Sequence, residues 1–361
     1  MGMRVRFAVP QIDDDDILSV SCSLRNSQLT NAGNVRAFEQ SFSDFCGGGM
    51  ALATTSCMGA LHLAALCGLK PGFEVIVPAL THPATAMAVS LVGGIPVFVD
   101  CDRETGNITP EAIKNAITPR TGAIFVVHYL GKPCDMPEIM AISRQHDLFV
   151  VEDCALALGS FIEGTHVGLW GHAGTFSFYP AKHITTGEGG MLLTRHPAIA
   201  ENIRARRHFG QRHESPTGLI VAARDWIMLG LNYRMTEMQG ALGVSQMKKL
   251  PSIMNARKNN YNLLSKELSA FEQMNSGHYA LSVFVGPDRD RVKAEMKRKN
   301  VETSVYYAQP VPHTQVYAQH HQIGQFPNAE EISSQNLCFS VGPHLTEKAI
   351  KYMAQTFKEV L

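Results

Sequence analysis

The chain has no surplus of charge of either sign, because 32 Lys and Arg are matched by 32 Asp and Glu among its 361 residues. Proteins that grip nucleic-acid backbones usually leave a basic field in their composition, so no nucleic-acid partner is expected. It also lacks any C-x-x-C pair: the eight cysteines, at 22, 46, 57, 67, 101, 134, 154 and 338, are scattered, several of them inside apolar runs. That spacing argues against a zinc site or a disulfide framework and for reduced thiols in a cytoplasmic compartment. No run approaches the ~20 apolar residues of a membrane span. The opening MGMRVRFAVPQIDDDD has no sustained apolar segment of the kind that directs secretion. Neither a membrane nor an export route is expected. Internal repeats and low-complexity tracts are absent as well, which removes solenoids and arrays. What is there is a chain 45% hydrophobic and 18% charged, long enough for one large domain and a second, smaller one.

Apolar runs of strand length alternate with helical segments through the first half. EVIVP (74–78), IPVFVD (95–100), GAIFVVH (122–128) and LFVVED (148–153) read as strands, with helices over 84–92, 110–117 and 136–145 between them. Near-continuous Val, Ile and Phe runs joined by helices predict a mainly parallel sheet covered on both faces. Ligands of such sheets sit at the carboxyl ends of the strands. Asp153 closes one of these strands, either as a buried functional carboxylate or as a helix N-cap. Before the sheet come a polar, acidic lead-in, a loop at 27–33 and a helix over 35–46. A small-residue turn then opens an apolar helix ending at Gly68, with Ser56 as its N-cap. Such a start offers unpaired amides and a positive dipole end to an anion, or is simply a capped core helix.

GTFSF (174–178) and GMLLT (190–194) read as two buried strands joined by a turn that carries Lys182 and the run Gly187-Glu-Gly-Gly190. A partly desolvated lysine held by rigid elements loses its proton more easily and becomes a nucleophile toward an aldehyde. The plain alternative is a snorkelling surface lysine. Further on lie a basic amphipathic segment (198–208) and a loop over 210–225 rich in His, Pro and Gly, of a length that suits a lid or an arm reaching a partner. A helix over 245–272, strands at 279–285 and 303–307, and helices at 287–299 and 346–360 predict a small α+β unit.

The stretch from Ser177 to Gly190 resembles the signature S-F-x-x-x-K-x-x-T-x-G-E-G-G of the DegT/DnrJ sugar aminotransferases and matches it at every defined position. These are fold-type I enzymes of pyridoxal 5'-phosphate (PLP). The resemblance implies an α/β chain with a large, mainly parallel, seven-stranded sheet domain over 1–245, including an N-terminal arm, and a smaller C-terminal α+β domain over 246–361. It implies that Lys182 holds PLP as a Schiff base and that Asp153 pairs with the pyridine nitrogen. His82 stands where relatives place an aromatic ring on the pyridine face, with a solvated loop histidine as the alternative. Ser56, the backbone of Cys57, Met58 and Gly59, and Ser177 are implied as phosphate contacts, and Ala155 as the small residue beneath the ring. The run from Leu229 to Ala241 resembles the family's G-x-N-x-R-M motif, whose Asn reaches the phosphate from a neighbouring subunit, so Asn232 implies a homodimer. Arg234 either holds a substrate carboxylate or makes a structural salt bridge. Tyr179, and His313 in a segment resembling the family's P-x-H, are implied on the substrate side, with a loop role open for His313.

Two departures stand out: Met58 where many relatives carry a hydroxyl residue, and Leu156 where they carry a polar one. The implied reaction moves an amino group from an amino acid, L-glutamate in relatives, to a keto sugar, giving an amino sugar for surface polysaccharide, lipopolysaccharide or natural products. A free keto sugar acid or cyclitol is the alternative acceptor. A PLP-dependent sugar dehydratase, in which histidine replaces the lysine, is a rival that Lys182 opposes even with His183 beside it. A regulator of the same fold is the non-enzymatic rival, and no basic face supports it.

Overall fold

The computed structural model describes residues 3–30, 32–211 and 225–361. The loop expected at 210–225, with its lid or arm role, therefore falls almost wholly outside the described residues.

Seven strands form one sheet: β1 (Met50–Thr54), β2 (Glu74–Pro78), β3 (Ile95–Val99), β4 (Thr121–Val127), β5 (Phe149–Asp153), β8 (Ala173–Ser177) and β9 (Gly190–Thr194). Their spatial order is β1-β9-β8-β5-β4-β2-β3. The neighbours from β3 through β8 pair in parallel, and β9 alone runs against both of its neighbours. Two short strands, β6 (Phe161–Ile162) and β7 (Thr165–His166), make a separate hairpin. The mainly parallel sheet is the expected one, and its central strands are mostly apolar because both faces are covered. On one side α3 (Cys57–Gly68) and α4 (Pro83–Ser90) bring Leu61, Leu63 and Val89 onto Val77, Phe125 and Val151. On the other, α5 (Pro110–Ala116) and α6 (Met136–His146) bury Ile113, Ile139 and Ile142 against Ile76, Ile124 and Val150.

The acidic lead-in is a helix, α1 (Asp14–Ser23). Asp13 and Asp16 close a capping box, and Asp14, Asp15 and Asp16 sit at the positive end of its dipole. Lys249 fastens it by pairing with Asp13 at 2.9 Å and with Asp16. Helix α2 (Gly33–Cys46) follows, and α7 (Pro197–Arg206) comes after β9. The long helix α8 runs over Glu237–Glu267, starting well before 245, because Thr236 and Gln239 form a capping box that fixes its first turn.

Past α8, β10 (Ala280–Phe284) pairs antiparallel with β11 (Asn336–Ser340), backed by α9 (Arg289–Arg298) and α11 (Glu347–Val360), while α10 (Pro327–Gln335) leads into β11. Leu264, Leu281, Met296, Phe339 and Phe357 make this smaller core. The strand expected over 303–307 is not formed. Only Ser304 bridges β11, at Cys338, and the next residues leave the sheet so that Tyr306 and Tyr307 reach the cavity described below. The N-terminal segment crosses to the same region: Val5 bridges Val301, and the Phe7 amide donates to Glu302 Oε2 at 3.1 Å. Among the described residues no helix is long and apolar enough to cross a membrane.

Candidate active site

A cavity of about 340 Å³ opens beyond the carboxyl ends of the parallel strands, where Val127 ends β4, Asp153 ends β5 and Ser177 ends β8. The turn after β8 delivers Lys182 into it. That turn is closed by its own backbone: Phe178 N–H donates to Gly189 O at 2.9 Å, Thr186 N–H to Phe178 O at 3.0 Å, and Lys182 N–H to Tyr179 O at 2.9 Å. Gly187 turns there with φ of +78°, a conformation that suits glycine. At Gly190 a Cβ would lie 2.3 Å from the carbonyl carbon of Ser56, so glycine is what lets β9 touch the start of α3. Lys182 is half-buried, with Nζ 5.7 Å from the centre of the Tyr279 ring. Among the described residues no carboxylate pairs with that Nζ.

Asp153 is buried, and both of its oxygens are held. The Thr85 hydroxyl donates to Oδ2 at 2.8 Å, and the Ala155 amide donates to Oδ1 at 3.1 Å. No helix follows Asp153, which removes the N-cap alternative. Strand alternation sends its neighbour Glu152 to the opposite face. There Glu152 accepts from the Gly168, Trp170 and Gly171 amides at 2.8, 2.9 and 2.7 Å and from His128 at 3.0 Å. His128 Nδ1 accepts from Cys134 N–H, so its Nε2 carries the proton donated to Glu152. With Cys154 this cluster groups three metal-ligand types within 4.8 Å, yet the carboxylate is already taken up by four donors and serves as a brace under the sheet.

His82 is the N-cap of α4: its Nδ1 accepts from Ala84 N–H at 3.2 Å, and its ring meets Tyr307 edge-on with centres 5.9 Å apart while lining the cavity. The His82 side chain is exposed at the cavity, and the desolvation it meets there, helped by the Lys182 charge and opposed by that of Asp153, lowers its pKa. Ser56 caps α3, its hydroxyl oxygen accepting from Gly59 N–H at 3.0 Å. The N–H groups of Cys57 and Met58, at the first two helical positions, have no intrahelical acceptor. Ser56, Cys57 and Met58 line the cavity together with Ala155, Leu156, Ser177 and Tyr179.

Three residues named from sequence lie elsewhere. Asn232 is exposed and accepts from Arg234 Nε at 3.1 Å, while the Arg234 guanidinium lies 4.9 Å from the centre of the Phe209 ring. His313 Nε2 faces Glu330 at 3.4 Å with its ring against Phe326. None of the three lines the cavity of its own chain. His183 does not line it either: it is buried beside Tyr279, where desolvation, with the Arg257 and Lys182 charges, holds its pKa well below the usual value.

Thr85, Tyr279, Tyr306 and Tyr307 also belong to the site or its support, and no sequence motif marks them. Tyr279 O–H donates to Ala181 O at 3.2 Å and meets the Tyr306 hydroxyl at 3.1 Å. Tyr306 and Tyr307 lie in the segment singled out for His313, but no local pattern shows which side chains of a loop turn inward. For Thr85, its spacing of one helical turn from Thr81 is the one available signal.

A mainly parallel sheet with one reversed strand, and a lysine on the turn leading into that strand, define the fold-type I aminotransferase class. The chain belongs to the DegT/DnrJ/EryC1/StrS aminotransferase family, whose profile matches residues 10–358. It is 32% identical to GDP-perosamine synthase of Escherichia coli O157:H7, with 93% of each chain covered. It is 31% identical to the spore coat polysaccharide biosynthesis protein SpsC of Bacillus subtilis, covering 98% of this chain and 96% of that one. The X-ray structure of DesV from S. venezuelae superposes with a TM-score of 0.90 at 28% identity over 98% of both chains.

Proposed function

We propose that this chain is a PLP-dependent aminotransferase that moves the amino group of an amino acid, L-glutamate, to the keto carbon of a sugar, and that it works in the cytoplasm as a homodimer. The observation that carries the reading is that Lys182, an amine with no carboxylate partner among the described residues, shares one cavity with Asp153, whose two oxygens are fixed by Thr85 and Ala155. Family membership and relatives named for perosamine and coat polysaccharide synthesis support a sugar acceptor.

The residues present fit the cofactor. Lys182 Nζ is the one amine among the described lining residues, and the start of α3 with the Ser177 hydroxyl offers donors for a phosphate. When bound, the cofactor supplies an aldehyde for the lysine and a conjugated ring that accepts electrons. Lys182 would anchor that aldehyde and, once freed by the donor, its amine would take up and return a proton at the substrate carbon that bears the amino group. Asp153 would hold a proton at the ring nitrogen, and the His82 ring would support the ring's face. Leu61, Val127 and Leu156 give the cavity apolar walls that would keep water from a bound ring, and Tyr179, half exposed, would meet the substrate. Asn232, exposed and outside its own cavity, serves the cavity of the neighbouring subunit. The reading takes the chain as a cofactor-binding unit over 1–245 and a small unit over 246–361, a boundary that would fall inside α8, although Val5 of the lead-in packs in the small unit's core.

The test is a panel of nucleotide-linked keto sugars, free keto sugars and keto sugar acids incubated with the loaded enzyme and L-glutamate, read as 2-oxoglutarate released. Release with at least one sugar is expected. Activity confined to plain pairs of amino and oxo acids contradicts the sugar acceptor.

A further inference from the structure

We infer that Thr85, backed by Thr81, is a positioning residue for the cofactor ring, acting through Asp153. The inference rests on the PLP reading of the site. Thr85 Oγ1 lies 2.8 Å from Asp153 Oδ2 and 3.0 Å from Thr81 Oγ1. A carboxylate oxygen only accepts, so the single hydroxyl proton of Thr85 is committed to Asp153. The second contact must then run the other way, with Thr81 donating to Thr85. The three groups form a one-directional chain, Thr81 to Thr85 to Asp153.

All three are buried, Thr85 at 0%, Thr81 at 1% and Asp153 at 5% exposure, so bulk water does not replace a donor that is removed. The chain also links separate elements, since Thr81 precedes α4, Thr85 lies in its first turn and Asp153 closes β5. With Ala155 N–H on Oδ1 and Thr85 on Oδ2, the plane of the carboxylate is fixed from both sides and its remaining lone pairs are left for the cavity. Without Thr85 the carboxylate turns about its last bond. A ring nitrogen that needs it in one plane is then met less often in the right geometry.

The test measures equilibrium binding of PLP, and of its carbocyclic analogue with CH in place of the ring nitrogen, to the apo forms of wild type, Thr85→Val, Thr85→Ser and Thr81→Val. Thr85→Val keeps the shape and loses the donor, so PLP binding weakens about tenfold or more, the scale for losing a hydrogen bond to a charged group. Thr85→Ser restores the hydroxyl and stays within about twofold of wild type, and Thr81→Val falls between. Toward the carbocyclic analogue all four proteins bind alike, a result that a general packing role does not give. Equal PLP binding by wild type and Thr85→Val, or equal losses for both compounds, overturns the inference while leaving the PLP reading standing. Wild type that binds neither compound overturns both. Should Thr85→Val fail to fold, Thr81→Val decides, because it leaves Thr85 in place without its donor; unchanged PLP binding in that variant overturns the chain.

Discussion

Tyr279 O–H donates to the carbonyl of Ala181, 3.2 Å away and one residue before Lys182, so a residue far along the chain braces the turn that presents the lysine. Two cations lie near the ring of Tyr279, with Lys182 Nζ 5.7 Å and the Arg257 guanidinium carbon 5.6 Å from its centre. Because the Tyr279 proton goes to a carbonyl, the Tyr306 hydroxyl at 3.1 Å must donate to it, which ties a second cavity residue to the same brace.

Replacing that hydroxyl separates bracing from packing. Tyr279→Phe keeps the ring and loses both hydrogen bonds, so a stability loss of about 1–2 kcal/mol is expected in urea unfolding. Turnover drops by up to about tenfold as the lysine is presented less uniformly. Unchanged turnover in a destabilised protein would mean that the brace is structural alone.

A pH dependence of stability follows from His166. Its Nε2 accepts from Gly159 N–H at 2.9 Å while Nδ1 donates to Val167 O, so the buried ring is neutral and both nitrogens are engaged. Desolvation, opposed by the Val167 hydrogen bond and the Glu152 charge, lowers its pKa from 6.5 to about 4. The unfolded chain therefore takes up a proton near pH 6.5 that the folded chain refuses until about pH 4, and stability falls as pH drops through that window. One such group removes on the order of 3 kcal/mol across it. His183, also lowered by burial, adds in the same direction. Denaturant unfolding of wild type and His166→Gln between pH 7 and 4.5 checks this: the variant shows a shallower fall, and identical slopes would remove His166 as a cause.

Much of the sheet was legible in the sequence because parallel strands covered on both faces carry unbroken apolar runs, as EVIVP and LFVVED do. MALAT in β1 carries little strand signal, since Ala and Met have little strand preference and its pairing with β9 is nonlocal. NLCFS in β11 was hidden in the same way, being buried yet opened by Asn336 and closed by Ser340. Lys182, Asp153 and Ser56 stood out because a turn, a strand end and a helix cap are local features. Thr85 and Tyr279 did not, because what they do depends on contacts with residues 68 and 98 positions away.

The place proposed for Asn232 predicts how inactive subunits complement one another. When Lys182→Ala and an inactivating Asn232 variant exchange freely, half of the dimers are mixed. If each site takes Lys182 from one chain and Asn232 from the other, a mixed dimer gathers both lesions in one site and keeps the second intact. About a quarter of wild-type activity then returns, from symmetry alone. No recovery after demonstrated exchange would mean that Asn232 serves its own chain or does not touch the cofactor at all.

The central claim is that Lys182 carries the cofactor through its own nitrogen, and reduction tests it most directly. Protein loaded with PLP is treated with borohydride, digested, and its peptides are weighed and sequenced by mass spectrometry. The account predicts one pyridoxyl-phosphate adduct, on Lys182 within the Ser177-to-Gly190 stretch, and none in Lys182→Ala. An adduct on a different lysine, or PLP retained covalently by Lys182→Ala, would contradict it.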